Sequence, residues 1–384
     1  MEHRKLRAGM IGGGVGAFIG PVHRMALALD GAAEITAGAF SRDLGKSRAT
    51  AEQLHLDPQR VYAEYRIMAR TEAGLPEDRR LDFVVIVTPN SSHYEIARTF
   101  LQHGFHVVCE KPAATSLEQA KALRTLIDQN RRLFMIAHAY TGYPMVKQAK
   151  QMAASGELGE ILKVVVDYVQ GWVPFRLQGE GKGEKGWKFD PEISGPSLTT
   201  ADIGIHAENL ARYVTGLEIE ELCADTSSFL AGRDLEDDAT VLIRYRGGAR
   251  GLLNASQMCT GEHNGLVLRV YGSRKSLIWK QEQPEVLLLR DLNRFDTILH
   301  KGTAGLHQPA LQASRLPSGH PDGLIGAFAN LYRAFFQSIH AHAEGSGSQP
   351  ADFPGIDDGV RALALVETIL ASSASDTKWL RLER

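Results

Sequence analysis

Leu6-Arg7-Ala8-Gly9-Met10-Ile11-Gly12-Gly13-Gly14-Val15-Gly16-Ala17 is a short apolar run that breaks into glycines, and it decides the fold. Residues 6–11 are continuous and apolar enough for a strand buried on both faces. Directly after them, Gly12, Gly14 and Ala17 satisfy the spacing G-x-G-x-x-G/A. Gly12 permits a tight turn, Gly14 lets a pyrophosphate approach the backbone, and the small Ala17 allows a helix to pack close against the strand. With Val15 and Gly16 between them, they make a candidate dinucleotide-binding loop. Pro21 suits the first residue of the following helix, which lengthens the loop beyond the usual fingerprint.

Outward from this stretch, short β-branched runs recur at 35–40, 83–87, 107–108 and 133–136. Helical stretches separate them. Val22, Met25, Ala26 and Leu29 fall at i, i+3, i+4 and i+7, and 43–54, 93–103 and 117–129 also suit helices. Strand and helix in alternation predict a parallel, doubly wound sheet. Past Tyr143 the pattern changes. A helix over 145–155 and a long strand over 161–168 precede a Gly- and Lys-rich loop, 178–186. Strand signals then follow one another at 219–229, 239–245, 249–257, 266–271, 276–280 and 286–289, with Arg246-Gly247-Gly248 and Gly272-Ser273-Arg274 as hairpin turns. Strands in direct succession predict a mainly antiparallel, open sheet. Helices over 323–342 and 356–372 and a strand over 379–382 close the chain. At about 150 residues per domain, 384 residues fit two α/β domains, divided here as 1–142 and 143–384.

Composition narrows the function. Apolar residues at 43% and charged residues at 23% exclude disorder, collagen and fibrous repeats. With 43 Lys+Arg against 45 Asp+Glu, the chain lacks the positive field that a nucleic-acid partner requires. The three cysteines, Cys109, Cys223 and Cys259, show no C-x-x-C pairing and read as free thiols in a reducing compartment. No apolar run reaches the roughly 18 residues of a membrane span, and residues 1–5 lead straight into a strand pattern. A cytoplasmic protein without a membrane partner is expected.

In a doubly wound sheet, ligands bind beyond the carboxyl ends of the strands, so the strand ends carry the chemistry. The second ends in Ser41-Arg42. A small hydroxyl followed by a guanidinium favours NADP over NAD, with Arg42 on a 2′-phosphate; Arg42 as a solvated residue and Asp43 as a helix cap are the plainer alternatives. The third ends in Thr88-Pro89-Asn90, with His93 opening a helix. These residues either line the cofactor crevice or cap the helix. The fourth ends in Glu110-Lys111-Pro112, where the proline restricts Lys111 to extended backbone, beside the place a nicotinamide would occupy. A solvated lysine leaving a sheet is the rival reading. Asp202 and His206 lie four residues apart at the start of an amphipathic helix, a spacing that sets both on one face and lets the carboxylate orient the imidazole. Alternatively Asp202 is an N-cap and His206 a packed histidine. Among fourteen histidines there is no H-E-x-x-H, and His340 and His342 face different ways, so no metal is expected.

These motifs together carry a resemblance. The N-terminal G-x-G-x-x-A, Thr88-Pro89-Asn90-x-x-His93, Glu110-Lys111-Pro112 and Asp202-x-x-x-His206 occur in the order seen in the glucose–fructose oxidoreductase, inositol dehydrogenase and rhizopine-catabolism (Gfo/Idh/MocA) family, and the resemblance spans almost the whole chain. Gly16-Ala17-Phe18-Ile19-Gly20-x-Val22-His23-Arg24 and Tyr140-Thr141-Gly142-Tyr143-Pro144 are similar to its levoglucosan dehydrogenase-like group. The resemblance implies an N-terminal Rossmann domain, a C-terminal domain whose open sheet forms a homodimer or homotetramer interface, and an NAD(P)-dependent oxidoreductase acting on a sugar, anhydrosugar or cyclitol. It maps catalysis onto Lys111, Asp202 and His206: the imidazole takes or returns the hydroxyl proton, Lys111 hydrogen-bonds the same oxygen, and Asp202 tunes both. Trp172 and Trp187 bracket the glycine-rich segment and suit a carbohydrate pocket, with Tyr140 and Gln170 as polar contacts, unless the tryptophans only anchor that loop. Two rivals stand beside a dehydrogenase: a redox-neutral NAD-dependent glycosidase, and a non-catalytic dinucleotide-binding regulator.

Overall fold

A computed structural model describes residues 4–174, 186–229, 234–345 and 352–383; residues 178–185 of the Gly- and Lys-rich loop lie outside them. The chain divides into two compact units, Met1–His138 with Phe328–Gly359, and Ala139–Ala327 with Val360–Arg384.

In the first unit, strands β1 (Leu6–Gly12), β2 (Ala33–Ala39), β3 (Phe83–Val87), β4 (His106–Cys109) and β5 (Phe134–Ile136) form a parallel sheet in the order β2-β1-β3-β4-β5. Every residue of β3 is buried, as a strand covered on both faces should be. The winding direction reverses between β1 and β3, so the carboxyl ends of those two strands flank the switch point at which doubly wound sheets bind ligands. Gly12 stands opposite Val87 there.

Helices α1 (Ile19–Ala28), α2 (Leu44–Gln53), α3 (Tyr65–Ala73), α4 (His93–Gln102) and α5 (Leu117–Asn130) accompany the sheet. Helix α3 has no counterpart in the sequence prediction. Its Glu72 is fully buried and accepts hydrogen bonds from Arg60 at 2.5 and 3.0 Å and from the Tyr62 hydroxyl at 2.8 Å, so a charged residue sits where an apolar one would mark the period. The inward face of α1 also differs from the expected one. Met25 and Leu29 are about half exposed, whereas Gly20 and His23 are buried with Val22, Ala26 and Leu27. The segment Phe328–Gly359, expected in the second domain, belongs to this unit. Phe335 and Phe336 each lie 5.6 Å from the ring of Phe83, and Pro354 accepts a hydrogen bond from the Ile136 amide at 2.8 Å. Helical periodicity reports a buried face but not which sheet it covers.

His106 gives this unit an acid-sensitive point. It is 7% exposed, and its Nδ1 accepts the Leu133 amide at 2.9 Å. Burial, with the charges of Arg132 and His342, brings its pKa down to about 3. An unfolded histidine titrates near 6.5. Between those values the unfolded chain holds a proton that the folded chain refuses, so stability falls as pH drops below about 6.5, at up to about 1.4 kcal/mol per pH unit from this group. Urea midpoints between pH 4 and 7 should therefore decline less steeply in His106→Asn, whose side-chain oxygen can still accept the Leu133 amide. Parallel slopes in the two proteins would remove His106 as the cause.

The second unit is built on a nine-stranded sheet. Its strands are β6 (Ile161–Val169), β7 (Ile219–Ser227), β8 (Asp238–Tyr245), β9 (Arg250–Ser256), β10 (Gly265–Gly272), β11 (Lys275–Lys280), β12 (Val286–Asp291), β13 (Thr297–His300) and β14 (Trp379–Arg381), in the order β13-β12-β11-β10-β6-β9-β8-β7-β14. The pairs are antiparallel apart from β6 with β9, which runs parallel and sets the carboxyl ends of those strands side by side, Val169 opposite Ser256. Strand β13, not predicted, is a short edge strand whose residues are mostly exposed, so no alternation marks it. Helices α6 (Pro144–Ala154), α7 (Pro191–Ser194), α8 (Ile205–Thr215) and α9 (Gln308–Ala313) belong to this unit; of the two long helices that follow, α10 (Gly323–Ala343) counts with the first unit from Phe328 on and α11 (Ile356–Ala374) with the second from Val360 on. The core of the unit forms where Val146, Ala149 and Met152 of α6 and Leu210 and Val214 of α8 meet Val164, Val166, Leu253 and Leu268 of the sheet. Among the described residues no helix is long and apolar enough to cross a membrane.

Candidate active site

In the first unit the glycine loop is shaped by contacts that admit no side chain. Gly12 has φ +82°, and a Cβ on it would stand 2.6 Å from the Val87 carbonyl oxygen. Gly14 donates to Phe40 O at 3.2 Å, Val15 to Thr50 Oγ1 at 3.1 Å and Ala17 to Gly14 O at 3.0 Å, so these three amides are spent within the protein. The Gly16 amide has no acceptor among the described residues, and α1 begins two residues beyond Ala17, at Ile19, with no acidic residue in its first turn. Unpaired amides at a helix N-terminus suit a pyrophosphate. Two expectations are corrected here. Pro21 is the third helical residue, not the first. The close approach of helix to strand is made by Gly20, where a Cβ would lie 2.5 Å from Gly13 Cα, while Ala17 is only half-buried; the longer loop moves that contact three residues on.

At the end of β2, Asp43 caps α2, accepting from the amides of Gly45 at 2.8 Å and Lys46 at 3.2 Å. Ser41 is occupied locally: its hydroxyl accepts the Asp43 amide and its carbonyl accepts Ser47. Arg42 is exposed, with no polar partner among the described residues. At the end of β3, Thr88, Pro89 and Asn90 are half-buried and lead into a short 3-10 turn, Asn90–Ser92. His93 is 1% exposed. Its two ring nitrogens lie 2.7 Å from the carbonyl oxygens of Pro112 and Thr88, tying the ends of β3 and β4 together. Burial lowers its pKa, against the raising effect of those two carbonyl acceptors. His93 thus supports the crevice and does not face it.

Beyond β4, Lys111 is half-buried and precedes a cis peptide bond to Pro112. Its amide donates to Glu110 Oε2 at 3.1 Å. Glu110 Oε1 lies 2.9 Å from Nε2 of His23, whose Nδ1 is 2.6 Å from the Tyr332 hydroxyl. Burial opposes the charged form of Glu110, but the His23 hydrogen bond, the Lys111 charge and the Lys111 amide outweigh it and hold the carboxyl below its ordinary value.

The second unit assembles the remaining candidates. His206 is half-buried, with the Tyr140 ring edge-on at 5.0 Å and Tyr168 at 6.4 Å. Asp202 lies in a π-helical turn, Thr200–Gly204, ahead of α8. The expected α-helical spacing of Asp202 and His206 therefore crosses an irregular turn. Buried Glu236 secures that turn, accepting from Ser197 Oγ at 2.6 Å and from the amides of Thr200 at 2.8 Å and Leu198 at 3.2 Å. Asp202 is not an N-cap; its Oδ2 accepts from Lys188 Nζ at 2.6 Å and Gln257 Nε2 at 2.8 Å. From Gln257 a polar chain continues. Gln257 Nε2 is 3.4 Å from Gln170 Oε1, which also accepts Trp172 Nε1 at 3.1 Å; Gln170 Nε2 and the Tyr168 hydroxyl each donate to Asn264 Oδ1 at 2.8 Å, and Tyr140 Oη is 2.5 Å from Tyr168 Oη. Burial first, then the Tyr140 phenol and the Asp202 charge, push the Tyr168 hydroxyl well above its ordinary value, so it stays protonated.

Tyr140, Gln170 and Trp172 thus share a cluster with Asp202 and His206. Trp187, 37% exposed, makes no ring contact or side-chain hydrogen bond among the described residues. Tyr168, Lys188, Gln257 and Asn264 were missed from sequence. The parallel pairing of β6 with β9 brings Gln170 beside Gln257, and nothing in either strand-end sequence announces that pairing.

The "Oxidoreductase family, NAD-binding Rossmann fold" profile matches residues 6–138, and the "GFO/IDH/MocA C-terminal domain" profile matches residues 146–278. An inositol dehydrogenase homolog from Azotobacter vinelandii, solved with NAD+, is 36% identical, with 98% of this chain and 97% of that one covered and a TM-score of 0.93. The chain belongs to the Gfo/Idh/MocA family. Within this family, an oxidoreductase from Sinorhizobium meliloti is 39% identical over 98% of this chain and 100% of that one, with a TM-score of 0.88. The levoglucosan dehydrogenase of Pseudarthrobacter phenanthrenivorans is 25% identical, covering 79% of this chain and 80% of its own. Like the other Gfo/Idh/MocA proteins, the chain is an oxidoreductase with an NAD-binding Rossmann fold.

Proposed function

We propose that the chain is an NAD(P)-dependent dehydrogenase that oxidises a hydroxyl-bearing carbon of a sugar, anhydrosugar or cyclitol, with Lys111, Asp202 and His206 as its catalytic residues. The observation that carries this reading is the chain of hydroxyl and amide groups, Tyr140, Tyr168, Asn264, Gln170 and Gln257, that ends on Asp202 beside His206. Such groups match the alternating donors and acceptors of a neutral polyol, and the Trp172 face offers a surface for its C–H groups. Relatives named for levoglucosan and inositol agree.

The glycine loop fits a dinucleotide: Gly12 and Gly13 hold positive φ, and the Gly16 amide has no acceptor among the described residues. A nicotinamide held there would supply the acceptor for the hydride of the carbinol carbon. His206 takes the hydroxyl proton, Lys111 donates a hydrogen bond to that oxygen and offsets its developing charge, and Asp202 stabilises the imidazolium. Exposed Arg42, without a carboxylate partner among the described residues, favours NADP. Arg42→Ala is then expected to lower kcat/KM for NADP roughly 10- to 100-fold, the loss of a charge-assisted hydrogen bond, and to change the value for NAD little. An equal fall with both cofactors, or none, overturns the preference.

A spectrophotometric screen tests the activity itself, with NAD and NADP each offered pyranoses, anhydrosugars and inositols. Formation of reduced cofactor with one class is the expected result. Sugar release without net reduction would make the chain a redox-neutral glycosidase instead, and dinucleotide binding without turnover on any of them would make it a regulator. We further propose a cytoplasmic homodimer or homotetramer, in which the sheet face carrying exposed Leu242, Tyr271 and Ile298 is the contact surface.

A further inference from the structure

His23 is a fully enclosed titratable group near the cofactor crevice and has no part in the chemistry above. Its side chain is 0% exposed and both ring nitrogens are engaged, Nε2 at 2.9 Å from Glu110 Oε1 and Nδ1 at 2.6 Å from Tyr332 Oη. A carboxylate only accepts, so Nε2 carries the hydrogen shared with Glu110, and Nδ1 faces the Tyr332 hydroxyl, which can serve as donor or acceptor. Phe328 packs edge-on against the imidazole at 4.9 Å, which leaves the ring little room to turn. The second oxygen of Glu110 accepts the Lys111 amide at 3.1 Å, and the Glu110 amide donates to Ile86 O at 3.0 Å. Both oxygens of this carboxylate are therefore fixed, one on α1 and one on the backbone that carries Lys111.

The next residue on α1 serves the other wall of the crevice. Arg24 donates from Nη1 to the Gly13 carbonyl at 2.7 Å and lies 3.4 Å from the Met10 sulfur; no carboxylate pairs with it among the described residues. A half-buried guanidinium is thus committed to a loop carbonyl. Two adjacent residues of one helix reach the glycine loop and the Lys111 strand end respectively.

We propose that His23 is a positioning residue for Lys111, acting through Glu110, while Arg24 fixes the dinucleotide loop. The proposal rests on the catalytic reading of Lys111 given above. A buried carboxylate that grips the amide of the residue beside it sets where that residue leaves the strand, and His23 sets the carboxylate. A displacement near 1 Å at a reacting group costs about 10²-fold in rate, so the effect belongs in kcat and not in cofactor affinity.

The test compares His23→Leu, His23→Gln, Glu110→Gln, Arg24→Met and Lys111→Met by saturated kcat, NADH binding by fluorescence, and melting temperature. His23→Leu should lose roughly 10- to 100-fold in kcat with NADH affinity nearly kept, and His23→Gln, whose amide can still donate to Glu110, should recover much of it. Glu110→Gln should fall in the same range, and the double variant His23→Leu/Glu110→Gln should be no worse than the poorer single, because both act on one element. Arg24→Met should weaken NADH about tenfold, and NADH affinity at the wild-type value in the folded variant would overturn the role given to Arg24. If the His23 variants lower only the melting temperature, while the folded protein turns over at the wild-type rate, the group is a packing device and the proposal is overturned. Should His23→Leu fail to fold, Glu110→Gln and Tyr332→Phe decide: wild-type kcat in both overturns it as well. Lys111→Met separates the two levels. Full activity in that variant removes the catalytic reading and this inference with it, whereas an inactive Lys111→Met beside fully active His23 variants removes the inference alone.

Discussion

Replacing His206 with alanine is expected to lower kcat by roughly 10²- to 10⁴-fold, the range a positioned general acid/base contributes. The imidazole is half-buried beside the rings of Tyr140 and Tyr168. Tyr168 is held protonated, and Asp202 already receives Lys188 and Gln257 on one oxygen. The loss should appear in kcat and kcat/KM together, with NADH affinity kept, since the glycine loop belongs to the other unit. Initial rates of reduced-cofactor formation at saturating substrate measure it. Turnover at the wild-type rate would falsify the assignment.

Lys111→Met should cost about 10²- to 10³-fold in kcat, as loss of a donor to a developing oxyanion typically does. Methionine keeps an unbranched apolar stem and removes the cation. The backbone amide of residue 111 still donates to Glu110, so the strand end holds its shape and the melting temperature should shift little. Stopped-flow single turnovers read the hydride step directly; an unchanged rate constant would show that Lys111 only leaves the sheet into solvent. The double variant His206→Ala/Lys111→Met should lose less than the product of the single losses, because both groups serve one proton transfer.

What the amino-acid sequence disclosed depended on how local each signal was. The glycine loop was legible because the G-x-G-x-x-A spacing directly after an apolar strand is contained in one short window, and the positive φ at Gly12 is a conformation that favours glycine. The parallel sheet was legible from alternating periodicities, and Lys111 from the proline that follows it. His23 was not, because its partners Glu110 and Tyr332 stand 87 and 309 residues away, and an apolar-face reading of α1 assigned its place to Met25 and Leu29. Glu72 hid α3 because a buried carboxylate stands where an apolar residue would mark the helical period. Lys188, Gln257 and Asn264 depend on a π-helical turn and a strand pairing that no short window contains.

The return of Phe328–Gly359 to the first unit bears on how this protein can be made and dissected. A fragment ending near residue 142 would carry all five parallel strands, yet it would expose Phe83 and strand His23 without its phenol. On the ribosome the nucleotide-binding unit cannot finish until Phe328–Gly359 has emerged, so the region before residue 138 must wait, partly uncovered, while the intervening residues are translated.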